Sequence, residues 1–294
     1  MNYRHAFHAG NFADCHKHAL MVALLTVLRQ KEAPFFVLDT HAGTGETLLT
    51  DGPAARTGEW QKGIGLLLDD PAPALASYLA LVKSLGMERS LYPGSPLIAR
   101  AMLRPQDRMA VCELHPEDGA SLAERFRGDP YCAIHRRDGW KALETMLPPK
   151  TASSGGVLPR RGLTLIDPPF EQPDEHRRLA DAMLTAQQRF PTGMVAGWYP
   201  IKGGAPARLL RHQLQDAGLK RALIAELFLR PPTDTTRLNG SGMAILNPPW
   251  QFGDNARAIM QALKTGLKAC EIRVDELGTD CAASAPGAME HKTQ

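Results

Sequence analysis

Leu163-Thr164-Leu165-Ile166-Asp167-Pro168-Pro169-Phe170 is an apolar run that ends in an acidic acceptor, two prolines and an aromatic ring. A run of this length bounded by turn residues reads as a buried strand, and the loop that follows delivers its polar group at a sheet edge. The prolines stiffen that loop by fixing φ and removing donors. The chemistry suits an exocyclic amino group of adenine. The lone pair of such a nitrogen is spread into the ring, so alkylating it needs acceptors for both N–H bonds. The Asp167 side chain and the Pro168 carbonyl supply them, and Phe170 offers a face on which a flipped base can stack.

Working outward, other short apolar runs alternate with helical stretches. Strands are expected over 35–39, 109–113, 132–135, 163–167, 194–198, 223–229 and 243–247. Helices are expected over 13–28, 97–103, 117–126, 140–146, 175–189 and 206–217. This alternation predicts an α/β fold, a Rossmann-like, seven-stranded, mostly parallel sheet. Between Gly45 and Arg108 the rhythm breaks, with no convincing strand. The surplus, 48–92, reads as an inserted helical subdomain, with apolar residues at helical spacing over 60–68 and 74–85. The stretch 148–161 is rich in Pro, Ser and Gly and reads as a flexible surface loop; the tail, 275–294, is small and polar, lacks periodicity and reads as disordered. The division expected is therefore a catalytic domain of 1–47 and 93–274, the insertion 48–92 and the tail.

Three further stretches carry candidate site residues. Asp39-Thr40-His41-Ala42-Gly43-Thr44-Gly45 follows a strand, and glycines at 43 and 45 let the backbone turn sharply beside a ligand. The same pattern also suits a plain strand-to-helix turn. The third glycine of a dinucleotide fingerprint is missing, which favours a nucleoside cofactor without pyrophosphate. Glu113, at the end of the next strand, is placed to accept from both ribose hydroxyls, or is a surface carboxylate. Asp138 is placed to accept from an adenine amino group, or caps the following helix, the commoner role.

Composition narrows the classes. The 294 residues are 44 % hydrophobic and 22 % charged with a net charge of +3, an ordinary globular balance that excludes a polycationic coat protein but not a local basic patch. No apolar run reaches the roughly 18 residues of a membrane span, and the polar N-terminus lacks the apolar core of a signal peptide. Cys15, Cys112, Cys132, Cys270 and Cys281 form no close pair, against a disulfide frame or structural zinc. His5, His8, His16 and His18 are not spaced as ligands on one helical face, so no metal is expected. Basic residues from Lys202 through Arg208, Arg211, Lys220, Arg221 and Arg230 to Arg237 fit a phosphate-binding rim, although solvated faces are the usual reading of such runs.

The Asp-Pro-Pro-Phe motif resembles the fourth motif of class I S-adenosylmethionine-dependent methyltransferases that act on exocyclic amino groups. The N-terminal Asn2 to Asn11, Asp14 to His18, Asp39 to Gly43, Tyr92-Pro93-Gly94-Ser95-Pro96-Leu97-Ile98, Glu113-Leu114-His115-Pro116 and Asp167-Pro168-Pro169 are similar to the bacterial 23S ribosomal RNA adenine-N6 methyltransferases of the RlmJ family. The likeness runs to about Pro249. It implies S-adenosyl-L-methionine held by Lys17, His18, His41, Gly43, Gly45, Ser95, Glu113, Asp138, Gly139 and Asp167, catalysis by Asp167, and substrate contacts from Tyr3, Pro168 and Phe170. It further implies a cytoplasmic monomer acting on naked or partly assembled 23S ribosomal RNA. Phe170 stands where the family often has Tyr, and Glu46 is expected to make the pocket rim less basic. A second Asn247-Pro248-Pro249-Trp250 fits the same motif, but it follows what this fold makes its last, antiparallel strand, and its acceptor is a neutral amide. The rival readings are an adenine-N6 methyltransferase of DNA, methylation of a protein glutamine amide, and an RNA-binding module without catalysis.

Overall fold

The computed structural model describes residues 5–150 and 157–278. Ten strands are formed: β1 Phe36–Asp39, β2 Glu46–Leu48, β3 Leu91–Pro93, β4 Arg108–Cys112, β5 Cys132–His135, β6 Gly162–Ile166, β7 Met194–Ile201, β8 Ala222–Phe228, β9 Gly240–Leu246 and β10 Glu271–Leu277. The α-helices are α1 Phe12–Arg29, α2 Gly52–Thr57, α3 Ile64–Leu67, α4 Ala76–Leu85, α5 Ser95–Ala101, α6 Pro116–Arg125, α7 Gly139–Met146, α8 Glu175–Arg189, α9 Gly204–Asp216 and α10 Phe252–Gly266.

Eight strands make the main sheet in the order β10-β8-β9-β7-β6-β1-β4-β5. The strands of the β7-β6-β1-β4-β5 half are parallel, whereas β9 is antiparallel to both β7 and β8, and β10 is antiparallel to β8. The sheet has eight strands where seven are expected from the sequence, and the additional one is β10. Its alternation of Ile272 and Val274 with charged residues suits an edge strand with one face in solvent. The tail expectation therefore fails for 275–277, and 279–294 lie outside the described residues, as do 151–156 of the expected loop. Helix α10 is likewise absent from the sequence-based expectation.

Strand side chains alternate between two cores. Val37, Met109, Val111, Leu163, Leu165 and Ile245 pack with α1, α4, α5 and α10 on one face. Leu38, Ala110, Cys112, Ile166, Val195 and Leu246 pack with α7, α8 and α9 on the other. The result is three layers, α/β/α. Within 45–108, β2 and β3 form a short antiparallel ladder where no strand is expected. Tyr78, Val82, Leu67 and Ile64 of this region are buried in the same core as α1 and the sheet. The backbone approach there is close: a Cβ on Gly63 would come within 2.1 Å of the Gly10 carbonyl oxygen.

Strand order sets the site. The chain adds β4 and β5 on one side of β1 and then returns to place β6 on the other. The carboxyl ends of β1 and β6 thus flank the topological switch point, where open α/β sheets bind ligands. Asp39 is the last residue of β1, and Asp167 follows β6 directly.

Candidate active site

Asp167 stands in the wall between two cavities. The first, about 280 Å³, is lined by Lys17, His18, His41, Gly43, Ser95, Glu113, Asp138, Gly139, Asp167 and Pro168. Nine of the ten residues assigned to the cofactor by resemblance are thereby brought together. Gly45 is the exception, since its side faces Leu122 and Phe126 and its carbonyl accepts from Gly94 at 2.7 Å. It shapes the turn into β2 and does not touch the cavity. Glu46 likewise pairs with Arg125 at 3.3 Å, away from either cavity, so the expected loss of rim basicity does not arise.

The first cavity is built by backbone turns held by carboxylates. Glu113 accepts from Gly43 N at 2.8 Å and from His115 N at 2.7 Å, which ties the ends of β1 and β4 together. Asp138 caps α7 by accepting from Trp140 N at 2.9 Å, so the capping role is real and coexists with a place in the cavity wall. Gly139 admits no side chain, since a Cβ would fall 1.9 Å from the Thr40 carbonyl oxygen. Ser95, also in the cavity wall, is already hydrogen-bonded within the protein. Its hydroxyl donates at 2.6 Å to Asp39, a buried carboxylate absent from the sequence-based site. Burial pushes Asp39 up to about 6, the Ser95 bond opposes that, and the Asp167 charge adds to it. Burial also pushes His41 down to about 4 and His18 down to about 3, so both are neutral near pH 7. His18 Nδ1 bonds the Tyr92 hydroxyl at 2.9 Å, while its Nε2 is buried without a partner in the cavity wall.

The second cavity, about 610 Å³, holds Phe170, Trp198, Pro169 and Leu238 beside His5, Asp14, Lys17 and Asp167. Phe170 adopts φ 52°, unusual for a bulky residue, and this turns its ring edge-on to Trp198, with centroids 5.7 Å apart. The Trp198 indole N–H donates to Ser241 Oγ at 2.8 Å, and Ser241 in turn bonds His16 Nδ1 at 2.8 Å. Burial pushes His16 down to about 3. Ser241 Oγ thus bridges the indole and the imidazole, which fixes the indole plane. Trp198, Ser241 and His16 are missing from the sequence-based site, and only tertiary contact reveals them.

A buried charge chain joins the cavities. Lys17 Nζ lies 2.5 Å from Asp167 Oδ2 and 2.9 Å from Asp14 Oδ1, and Asp14 Oδ2 meets His5 Nε2 at 3.0 Å. Asp14 and Lys17 sit at i and i+3 on α1, which aims both along the same helix face. Burial works against both charges but is outweighed. Lys17 is raised by Asp14 and Asp167, and Asp14 is held well below the usual carboxylate range by His5 and Lys17. Tyr3 lies outside the described residues.

The second Asn-Pro-Pro-aromatic stretch is elsewhere. Leu246 pairs with Val195 near the start of β7, so Asn247 emerges at the opposite edge of the sheet. Its side chain accepts from Arg221 at 3.0 Å and donates to the Gly193 carbonyl at 3.1 Å, a strand-ending turn.

A model of the family described as Ribosomal RNA large subunit methyltransferase D, RlmJ, matches residues 32–274. The chain belongs to this family. Among RlmJ relatives, the Ribosomal RNA large subunit methyltransferase J of Escherichia coli K12 is 37 % identical over 271 residues, 91 % of this chain and 94 % of the relative. The protein of the same name from Haemophilus influenzae is 38 % identical over 272 residues, with the same 91 % and 94 % coverage. A crystal structure of a Legionella pneumophila protein superposes with a TM-score of 0.80 at 31 % identity, covering 92 % of this chain and 98 % of that one. The RlmJ match runs from β1 into β10, so both cavities except the walls formed by residues 5–18 fall within it.

Proposed function

We propose that this chain transfers a methyl group from S-adenosylmethionine to the exocyclic N6 of an adenine in 23S ribosomal RNA. The observation that carries the reading is the position of Asp167, in the wall common to a polar, carboxylate-lined cavity and an aromatic one. The first cavity fits the cofactor. Glu113 suits a ribose diol, Asp138 suits an adenine amino group, and the unpartnered His18 Nε2 offers one more polar contact. When bound, S-adenosylmethionine supplies an electrophilic methyl on a sulfonium.

The chain's own residues do the rest. Phe170 and Trp198, packed edge to face, form one aromatic corner of the cavity against which the base lies, and they exclude water. Lys17 occupies Asp167 Oδ2, which leaves Oδ1 to accept one N–H of the target amine. The Pro168 carbonyl accepts the other. With both hydrogens held, the nitrogen lone pair localises toward the methyl, and the surplus proton leaves through Asp167 or water. The enzyme acts as a monomer in the cytoplasm on free or partly assembled RNA. The domain division is 1–47 with 93–277, through β10, as catalytic unit and 48–92 as insertion.

The test is Asp167→Asn, which keeps the shape and removes the charge. Methyl transfer to large-subunit RNA is expected to fall by about 10²–10³-fold, while calorimetric titration with S-adenosylmethionine still gives a binding isotherm. Wild-type turnover by the variant overturns the role of Asp167, and wild-type protein that leaves adenine in 23S RNA unmodified overturns the function.

A further inference from the structure

The charges around the second cavity are not spread evenly. Deep in it, Lys17, Asp14, Asp167 and His5 neutralise one another. At its mouth stand Lys62 from the inserted region and Lys202, Arg230 and Arg237 from the loops that leave β7 and β8, all four exposed. Glu59, the carboxylate beside Lys62, is bound by His8 Nδ1 at 3.0 Å and by Asn11 Nδ2 at 3.0 Å. Arg237 keeps an exposed pairing with Asp234 at 3.3 Å, and Arg230 spends one N–H on the Leu238 carbonyl. The two sides belong to one cavity, whose wall also holds His8, bonded to Glu59 of the inserted region. An exposed cation against an exposed carboxylate is a weak and exchangeable pair, so these four groups are available to an outside polyanion.

We infer that Lys62 on one side and Lys202, Arg230 and Arg237 on the other form a two-sided phosphate clamp. It would grip the RNA backbone on both flanks of the nucleotide whose base enters the cavity beside Phe170 and Trp198. This rests on the functional reading above and makes the inserted region the second jaw. A base that reaches Asp167 through a 610 Å³ cavity must leave its stack, which costs a few kcal/mol. Phosphate contacts on both flanks hold the opened strand and are indifferent to sequence.

The experiment compares wild type with Lys62→Ala/Lys202→Ala and Arg230→Ala/Arg237→Ala. Binding of an RNA fragment that wild type methylates is measured by fluorescence anisotropy from 50 to 300 mM KCl, alongside methyl-transfer kinetics. Each double variant removes two phosphate contacts. The slope of log affinity against log salt is therefore expected to flatten by about 1.4–1.8. The KM for RNA is expected to rise about tenfold or more at 150 mM KCl, with kcat at saturating RNA within about twofold. Thermal unfolding within 2 °C of wild type and an unchanged S-adenosylmethionine isotherm show that the fold is intact. Unaltered slopes and KM in both variants overturn the clamp. The single variant Lys62→Ala tests the second jaw: its slope is expected to flatten by about 0.7–0.9, and an unaltered slope there overturns the two-sidedness. Wild type that binds RNA with the expected slopes but transfers no methyl overturns the functional reading and leaves the clamp standing.

Discussion

Lys17 holds two carboxylates, one three residues away and one 150 residues away in sequence, in one buried chain, and each member is tolerable only because of the others. An unpaired buried charge costs several kcal/mol, whereas a fully paired chain approaches break-even. Lys17→Met keeps the bulk and removes the cation, so Asp14 and Asp167 are left facing each other with less compensation. The expected loss is about 3–5 kcal/mol of stability by denaturant titration, together with loss of methyl transfer. Asp39 gives a second prediction with a definite sign. Its folded value near 6 lies above the ordinary carboxylate value of 3.8. Its contribution is therefore fully present below about pH 4 and is lost as pH rises through 6. Asp39→Asn mimics the protonated form. The stability of wild type minus variant is expected to fall by up to about 3 kcal/mol between pH 4 and pH 8, read from urea unfolding at each pH. A flat difference removes the assignment of a raised value to Asp39.

At the scale of elements, α1 is attached at its start to the inserted region as well as to the sheet. Asn11 caps the helix by accepting from Ala13 N and Asp14 N at 2.9 and 3.0 Å, and its amide donates to Glu59. His8 joins the same carboxylate and its value is raised, mainly by that hydrogen bond. A raised histidine contributes below about pH 6.5 and loses its contribution as pH climbs past its folded value. Glu59→Gln is therefore expected to loosen the contact between residues 5–11 and the inserted region at pH 6 and to matter less at pH 8.5. Because both side chains are partly exposed, the effect on global stability is under about 1 kcal/mol. Amide hydrogen exchange at 59–64 reads it more directly. The same elements show what local sequence conveys. Helix α8 is legible to the residue because its apolar positions repeat at helical spacing with a charged opposite face. The strand β6 and its Asp-Pro-Pro loop are legible because a strand buried on both faces is a continuous apolar run. Strand β10 is not, since an edge strand with charges on alternate positions resembles a polar tail. The Trp198–Ser241–His16 bonds and the Lys17–Asp167 pair, 150 residues apart in sequence, depend on which layers face each other. No window of the sequence encodes that. Gly45 fails as a site residue for the reverse reason: its spacing fits a ligand loop, but its side of the turn faces α6.

Over the whole molecule, a net charge of +3 hides a division of labour. The first cavity is walled by Glu113, Asp118, Asp138 and Glu175 against Arg178; Lys17, Asp167 and Glu171 stand in both walls, and Lys62, Lys202, Arg230 and Arg237 rim the second. Both open on Asp167. A sulfonium cofactor, which carries net positive charge, enters the acidic side, and a polyanion is drawn to the basic side. The two bindings are also expected to respond differently to salt. Cofactor contacts are partly buried and few, and screening over a Debye length of about 8–10 Å acts weakly on them. RNA contacts release condensed counterions, and four rim cations imply a loss of about 10¹·⁵–10²-fold in RNA affinity between 50 and 200 mM salt. Calorimetry for S-adenosylmethionine and anisotropy for RNA on the same preparation test this directly. The cofactor isotherm is expected to stay within about threefold over that range. A cofactor affinity that falls in parallel with that of RNA means the two compartments share one electrostatic field, and the separation argued from their linings is then wrong.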